Sequence, residues 1–588
     1  MQQQVDAEKR QVLRSPRTSG AKRTGAQLIW EMLTREGVQT VFGYPGGAIM
    51  PAYDALPGYP IQHVLVRHEQ GAAHMADGYA RASGKVGVAI ATSGPGATNL
   101  VTGIATAMMD SSPIVCITGQ VSSAAIGSDA FQETDITGVT LPVTKHNYLV
   151  TSAQEIGPTL REAFHIARSG RPGPVLVDIT KDAQQLTAEL ESDPGELRAP
   201  NRSAHGSGWR DLQRAIDLIN TAERPIILAG HGILKAEASQ LLIEFAERTG
   251  IPVASTLLGL GGFPATHPLS LGMMGMHGEA WVNSAIQEAD LLIALGMRFD
   301  DRVTGKVATY ALNAKKIHVE IDPSEINKNV KVDVALIMDV RAALEELFGH
   351  SERRDRQAWH DHIAMMKGDS AVRDILSLPE NGRLFAAHVV HDLWRLTEGN
   401  ALVVTDVGQH QMWEAQYYKH DHPRKLITSG GLGTMGFALP AAIGARFAKP
   451  DDEIWVIVGD GGFQMTACEL STCAQEGLKL NVAIINNGYL GMVRQWQQFF
   501  YGGRYVATPL KNPDFVMLAQ AHGLTGLRVT RREEVAEAVA RARAEPGTVV
   551  IDFRVEQEDS VYPMVPANAD LHDMIRRPNP LVETAGDS

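Results

Sequence analysis

At 588 residues the chain is too long for one hydrophobic core, and roughly 150 residues per domain predicts three or four domains. Its 44% hydrophobic and 21% charged residues exclude a disordered chain, and a formal net charge of −13 excludes the basic footprint of a nucleic-acid-binding protein. Cys116, Cys468 and Cys473 form neither a disulfide framework nor a zinc pattern, and no apolar run approaches the ~18 residues of a membrane span, so a cytoplasmic protein without membrane or nucleic-acid partners is expected. Residues 1–20 read as a polar tail that lacks the apolar stretch of a secretory signal.

Beyond that tail, short apolar runs alternate with helical patterns, which is the rhythm of βαβ units. The expected fold class is α/β, with three doubly wound parallel-sheet domains. The first block covers 21–188, with strands predicted at 38–42, 63–66, 86–91, 114–118 and 175–179. A Pro/Gly/Ser-rich linker is expected over 189–207. The central block, 208–350, has strands predicted at 225–229, 252–255, 291–295 and 317–321. A charged linker over 351–382 leads to the third block, 383–556, with strands at 401–405, 426–428, 454–458, 481–485 and 549–553; a polar tail, 557–588, follows.

The most informative segment is 454–496. A buried-strand run ends in Gly459-Asp460-Gly461-Gly462, and Thr466 with Glu469 reads as a capping box opening the next helix, with Gly477 as its C′ residue. A second strand ends in Asn486-Asn487. If the two strands are neighbours, Asp460 and Asn487 leave the same sheet edge, where open α/β sheets bind ligands. A carboxylate and an amide oxygen are hard ligands that suit magnesium, and the glycines let backbone N–H groups approach a diphosphate. Earlier in the chain, Arg67-His68-Glu69-Gln70 follows a strand, so Glu69 also lies at a ligand-binding edge. Taken alone, an acid there serves a helix N-terminus equally well.

Gly459-Asp460-Gly461, twenty-four residues, then Asn486-Asn487 resembles the signature of thiamine-diphosphate enzymes. The resemblance implies Asp460, Asn487 and the carbonyl of Tyr489 as magnesium ligands, and Glu69 as the carboxylate beside the cofactor's aminopyrimidine, where it promotes the imino tautomer. Gly46, Gln409, His410, Gly433, Met435, Gly461 and Gly462 are further cofactor-binding positions implied in the same way. The segments 129–135, 144–148, 298–305 and 491–496 narrow the resemblance to acetohydroxyacid (acetolactate) synthase large subunits, and it covers about 21–574.

That family implies decarboxylation of pyruvate and transfer of the two-carbon fragment to pyruvate or 2-oxobutyrate, the first common step of branched-chain amino-acid synthesis. It places Phe131 and Gln132 in the reaction pocket, with Lys145 and Lys181 nearby, and gives acceptor selection to Arg302 and Trp496. A guanidinium can bind a carboxylate, and an indole can wall an ethyl group. On the residues alone, an Arg302 salt bridge with Asp300 or Asp301 and core packing of Trp496 are the simpler readings.

Gly230-His231-Gly232 is only a partial dinucleotide fingerprint, because Lys235 stands where the third Gly or Ala belongs. The resemblance implies a structural FAD held by Arg171, Gly232, Thr256, Leu257, Met274, Gly275, Met276, His277, Gly296, Arg298, Asp300, Glu320 and Asp339. On the residues alone His231, His277 and His318 read as packing or hydrogen-bonding groups. The resemblance further implies a homodimer or higher homo-oligomer with sites built across two chains, and a small regulatory subunit. One departure is Ser122, where many members have proline; this leaves inhibitor sensitivity open. The rivals are a flavin-free catabolic acetolactate synthase, a pyruvate oxidase, and a non-catalytic scaffold of the same fold.

Overall fold

The computed structural model describes residues 22–189, 208–377 and 382–579. The tail 1–20, nearly all of the 189–207 linker, residues 378–381 of the second linker and the end of the C-terminal tail lie outside the described residues. The described chain divides into two compact units, one of residues 22–73, 86–108 and 113–189, the other of residues 74–85, 109–112 and the chain from 208 onward.

Three six-stranded sheets organise the chain, and every strand pair within them is parallel. The first unit holds strands Thr40–Gly43, Gln62–Leu65, Gly87–Ala91, Ile114–Gln120, His146–Val150 and Val175–Thr180; counted in chain order they lie 2-1-3-4-6-5 across the sheet. The last sheet holds Leu402–Thr405, Leu426–Thr428, Ile454–Gly459, Asn481–Asn486, Thr525–Val529 and Val549–Arg554, in the same order, 2-1-3-4-6-5. Between them in sequence, Pro225–Ala229, Val253–Ser255, Ser270–Met273, Leu291–Leu295, Lys315–Glu320 and Val334–Ile337 lie 3-2-1-4-5-6, the strand order of dinucleotide-binding folds.

The inner strands are apolar along their length because helices cover both faces. Pro225–Ala229, Leu291–Leu295 and Asn481–Asn486 are buried at every position. Four strands are absent from the sequence reading: His146–Val150, Ser270–Met273, Val334–Ile337 and Thr525–Val529. All four are edge strands with partly exposed positions; three carry polar residues (His146 and Asn147, Ser270, Thr525 and Arg528), whereas Val334–Ile337 is apolar but only four residues long. The pairing of Lys22–Thr24 with Thr187–Glu189 was also not anticipated.

A buried ionic cluster stands in the second unit. Arg81 Nε donates to Asp77 Oδ1 (2.7 Å) and Ser112 Oγ (3.0 Å), Nη1 to the Thr428 carbonyl (2.6 Å), and Nη2 to Asp110 Oδ2 (2.7 Å). The Asp110 carboxylate in turn accepts the N–H groups of Gly430 (3.2 Å) and Gly431 (2.6 Å). Removing one partner from a buried charge cluster leaves the others uncompensated, so Arg81→Met should destabilise the protein by about 3–5 kcal/mol. The check is a lowered midpoint in chemical or thermal unfolding.

Candidate active site

Ile454–Gly459 and Asn481–Asn486 are neighbours, with Gly459 opposite Ile485, so Asp460 and Asn487 do leave one sheet edge together. Asp460 is the first residue of a short helix, Asp460–Thr466. A 3-10 turn, Ala467–Glu469, and a helix, Leu470–Gln475, do follow Thr466, but the expected capping box is not formed: the Thr466 hydroxyl donates to the Gly436 carbonyl at 3.0 Å instead. Gly477 takes the left-handed C′ conformation (φ 61°), with Leu478 N–H returning to the Cys473 carbonyl at 2.9 Å.

The Asp460 carboxylate is 1% exposed. Its Oδ2 accepts from Gly488 N–H (3.0 Å) and from Asn512 Nδ2 (2.6 Å). Burial pushes this carboxyl up to about 6, against the pull of those donors. Asn487 Oδ1 accepts from Tyr489 N–H at 3.0 Å, and its Nδ2 donates to Gln409 Oε1 at 3.2 Å. Tyr489 bridges Pro509, but the bonds are made by its neighbours: Leu490 N–H reaches Thr508 O (2.9 Å) and Leu510 N–H reaches Gly488 O (2.8 Å), which leaves the Tyr489 carbonyl outside the pairing. One carboxylate with amide and carbonyl oxygens is a donor set for a hard cation that takes its remaining ligands from phosphate and water. No cluster of three or more His, Cys, Asp or Glu suited to a metal exists among the described residues.

In the 2-1-3-4-6-5 order the sheet's direction of winding changes between Leu402–Thr405 and Ile454–Gly459. Asp406, Gln409 and His410 follow the first of these strands. His410 is buried, and its Nε2 has no hydrogen-bond partner among the described residues. Burial pulls its imidazole down to about 3, so it is neutral at pH 7. A buried, unpaired ring nitrogen beside Asp460 fits a polar ligand at this edge. Gln409 Nε2 donates to Gln495 Oε1 at 2.8 Å, tying Asn487 to the next helix.

Asp406 escaped the sequence reading. Its buried carboxylate accepts from Gly436 N–H and Ala438 N–H, both at 3.0 Å, and so holds the segment that carries Gly433 (φ 72°) and Met435. A Cβ on Gly462 would stand 2.2 Å from Asp406 Oδ1, and one on Gly461 would stand 2.6 Å from Leu490 Cδ2. At Gly462 the obstacle is a carboxylate already held by two backbone N–H groups, whereas at Gly461 it is the end of a flexible leucine that can give way.

Trp496 lies on helix Gly491–Phe500 and is only partly buried, so it is not a core residue. With Met492, Val493, Gln497, Tyr501, Arg504 and Val506 it lines a groove of about 600 Å³. Arg302 is half exposed, 3.4 Å from Asp301 Oδ2 and with Nη1 2.9 Å from Met276 Sδ.

In the central sheet the winding reverses between Pro225–Ala229 and Leu291–Leu295. Gly232 follows the first and Gly296 the second; Gly232 N–H donates to the Gly296 carbonyl at 2.9 Å, and a Cβ on Gly232 would lie 2.6 Å from Gly296 Cα. His231 and His318 hydrogen-bond the Leu258 and Met297 carbonyls at 2.9 and 2.8 Å. His231 Nε2 and His277 Nδ1 are buried with no hydrogen-bond partner among the described residues. Gly275 N–H donates to Asn283 Oδ1 at 2.9 Å, inside the segment carrying Met274, Met276 and His277. Three expected flavin acids also serve the backbone. Asp300 and Asp339 cap helices Asp301–Thr304 and Val340–His350, and Glu320 accepts from Ile321 and Asp322 N–H. Asp300 also lies 3.8 Å from Arg298. Thr256 caps the turn Leu257–Gly259.

In the first unit Glu69 opens helix Glu69–Ser83 and is 9% exposed. Its Oε2 accepts from Asn99 Nδ2 at 2.9 Å, a partner with no sequence signal. A Cβ on Gly96 would come within 3.2 Å of Glu69 Oε1, and one on Gly94 (φ 56°) within 2.7 Å of the Gln132 carbonyl. The 93–96 loop therefore gathers Glu69, Asn99 and Gln132 (φ 61°). A Cβ on Gly46 would meet the Thr92 side chain at 2.5 Å, at the reversal between Thr40–Gly43 and Gly87–Ala91. Phe131 is 87% exposed on its own chain. Lys181 is partly buried and opens helix Lys181–Gln185. Lys145 instead donates to the carbonyls of Ile166 and Ser169, at the end of helix Ala153–Arg168. Arg171 lies in the turn after that helix. Ser122 has φ −55° and ψ 142°, a conformation proline also adopts, so the departure there is chemical and not conformational.

Two doubly wound sheets of one order, with a dinucleotide-type sheet between them in the sequence and an acid–amide pair at a strand edge, define a thiamine pyrophosphate enzyme. Residues 23–139, 212–347 and 406–553 match the N-terminal TPP-binding, central and C-terminal TPP-binding domains of thiamine pyrophosphate enzymes. The acetolactate synthase large subunit of Mycobacterium tuberculosis is 50% identical over 558 residues, covering 92% of this chain and 90% of that protein. The large subunit of Corynebacterium glutamicum is 48% identical over 571 residues (94% and 90%), and the isozyme 2 large subunit of Escherichia coli 46% over 554 residues (94% and 99%). The chain belongs to the acetolactate synthase large-subunit family and is an enzyme of that family.

Because Gly462 has no room for a methyl group, Gly462→Ala should lower stability by about 1–3 kcal/mol. The unfolding midpoint reads this directly; an unchanged midpoint would show that the Asp406 carboxylate is free to move.

Proposed function

We propose that the protein decarboxylates pyruvate and joins the two-carbon fragment to a second pyruvate or to 2-oxobutyrate, giving 2-acetolactate or 2-aceto-2-hydroxybutyrate. The observation that carries this reading is the convergence of Asp460, Asn487 and the unpaired His410 nitrogen at one strand edge. Bound thiamine diphosphate would supply the carbanion-stabilising chemistry. Asp460, Asn487 and the Tyr489 carbonyl are the groups to hold magnesium, with Gly461, Gly462, Gln409, His410, Gly433 and Met435 around the diphosphate. Glu69, oriented by Asn99, would share a proton with the aminopyrimidine. Gln132 and Phe131, with Lys181 nearby, would face the reacting carbonyl. Arg302 would pair with the acceptor's carboxylate, and Trp496 would wall its alkyl group.

The 3-2-1-4-5-6 sheet order and the orphaned His231 and His277 nitrogens support a flavin site in the central domain, with no net redox role in the reaction. A pocket residue as exposed as Phe131 suits a site completed by a second copy of the chain. Relatives named as large subunits support a small regulatory subunit for this chain too. No helix of the described residues is long and apolar enough to cross a membrane. The free cysteines suit a reducing cytoplasm.

Incubated with pyruvate, thiamine diphosphate, magnesium and FAD, the wild-type protein should form acetolactate, and Glu69→Gln should lose roughly 10²–10⁴-fold in rate. A folded, cofactor-loaded wild type that makes no acetolactate would refute the reading. Competition between the two acceptors tests the groove: Trp496→Leu should shift the 2-oxobutyrate-to-pyruvate preference by about tenfold or more.

A further inference from the structure

Asn512 stands outside the Gly-Asp-Gly and Asn-Asn signature, yet it touches both halves of it. Residues 508–510 run antiparallel beside 488–490, joined by the Leu490–Thr508 and Leu510–Gly488 bonds, and this pairing delivers Asn512 to the strand edge. Its Nδ2 donates to Asp460 Oδ2 at 2.6 Å and to Asn486 Oδ1 at 3.0 Å. Its Oδ1 accepts from Gln464 Nε2 at 2.9 Å.

The orientation of that amide is dictated from the far side of the sheet edge. Asp552 is fully buried, and its Oδ2 accepts from two guanidinium groups, those of Arg528 (3.1 Å) and Arg554 (2.9 Å). A carboxylate can only accept, so Asn486 must turn its Nδ2 toward Asp552 Oδ1, at 2.8 Å. The Asn486 oxygen then faces Asn512, which must answer with its own NH₂. That NH₂ has a second hydrogen, and it falls on Asp460. The relay from two arginines through Asp552, Asn486 and Asn512 thus ends as a fixed donor on Asp460 Oδ2, the same oxygen that Gly488 N–H reaches.

We infer that Asn512 is a positioning residue of the metal site: by holding Asp460 Oδ2 through a pre-oriented amide it presents Oδ1 to the divalent cation. The inference rests on Asp460 being the magnesium ligand. Groups that orient a metal ligand commonly govern affinity by about 10–100-fold when removed.

The test is a Mg²⁺ titration of the full-length protein with saturating thiamine diphosphate, followed by calorimetry, for wild type, Asn512→Ala and Asn512→Asp. Unfolding midpoints without metal, and kcat against the activating Mg²⁺ concentration, complete it. The expected result for Asn512→Ala is a roughly 10–100-fold weaker Mg²⁺ dissociation constant, with kcat largely recovered at saturating metal. Asn512→Asp, which keeps the shape but removes the donor, should bind no better than the alanine variant. A lowered unfolding midpoint with an unchanged Mg²⁺ constant would overturn the inference in favour of a merely structural role. Tighter binding by Asn512→Asp would overturn it in favour of direct ligation. If the wild type takes up no Mg²⁺, the reading of Asp460 as a ligand fails; if it does and Asn512→Ala matches it, only the role of Asn512 fails.

Discussion

The guanidinium of Arg81 is the fixed point in the second unit. Its donors are spent on Asp77, Asp110, Ser112 and the Thr428 carbonyl, all away from water. Asp110, paired with that guanidinium, also grips the backbone of Gly430 and Gly431, while Asp406 grips Gly436 and Ala438 a few residues later. Residues 428–438, which carry Gly433 and Met435, thus hang between two buried carboxylates. In a low-dielectric interior such charges are tolerable only when fully paired, and full pairing also restricts the loop to one arrangement.

Much of the architecture is legible in the sequence because parallel strands covered on both faces must be apolar throughout. Pro225–Ala229 and Leu291–Leu295, both interior strands, coincide with their predicted limits. The strands that escaped, such as His146–Val150 and Thr525–Val529, lie at sheet edges, where one side is open and polar residues are admitted. The capping pattern at Thr466 misled for a different reason. A short helix, Asp460–Thr466, already occupies the strand end, and the Thr466 hydroxyl is used for a tertiary bond to Gly436 and not for a cap.

The candidate site shows the same division. Asp460 and Asn487 are visible as a spaced pair, each after a strand, because sheet geometry converts that spacing into proximity. The groups that orient them are not. Asn99 reaches Glu69 across 30 positions of sequence, and Asn512 reaches Asp460 across 52. Asn512-Pro513-Asp514 reads locally as an ordinary turn. Asp406 carried a usable signal, an acid directly after a buried strand, which is the pattern that marked Asp460.

The first and third sheets share one strand order but carry their acids at different places, Glu69 after the second strand and Asp460 after the third. One winding order thus accommodates two different acid positions, because each acid sits just beyond a strand end and not within the framework. The loops beyond the strand ends can be exchanged to alter chemistry, whereas the winding order fixes only where those ends gather, so one scaffold can present a proton-sharing acid in one sheet and a cation-binding acid in another.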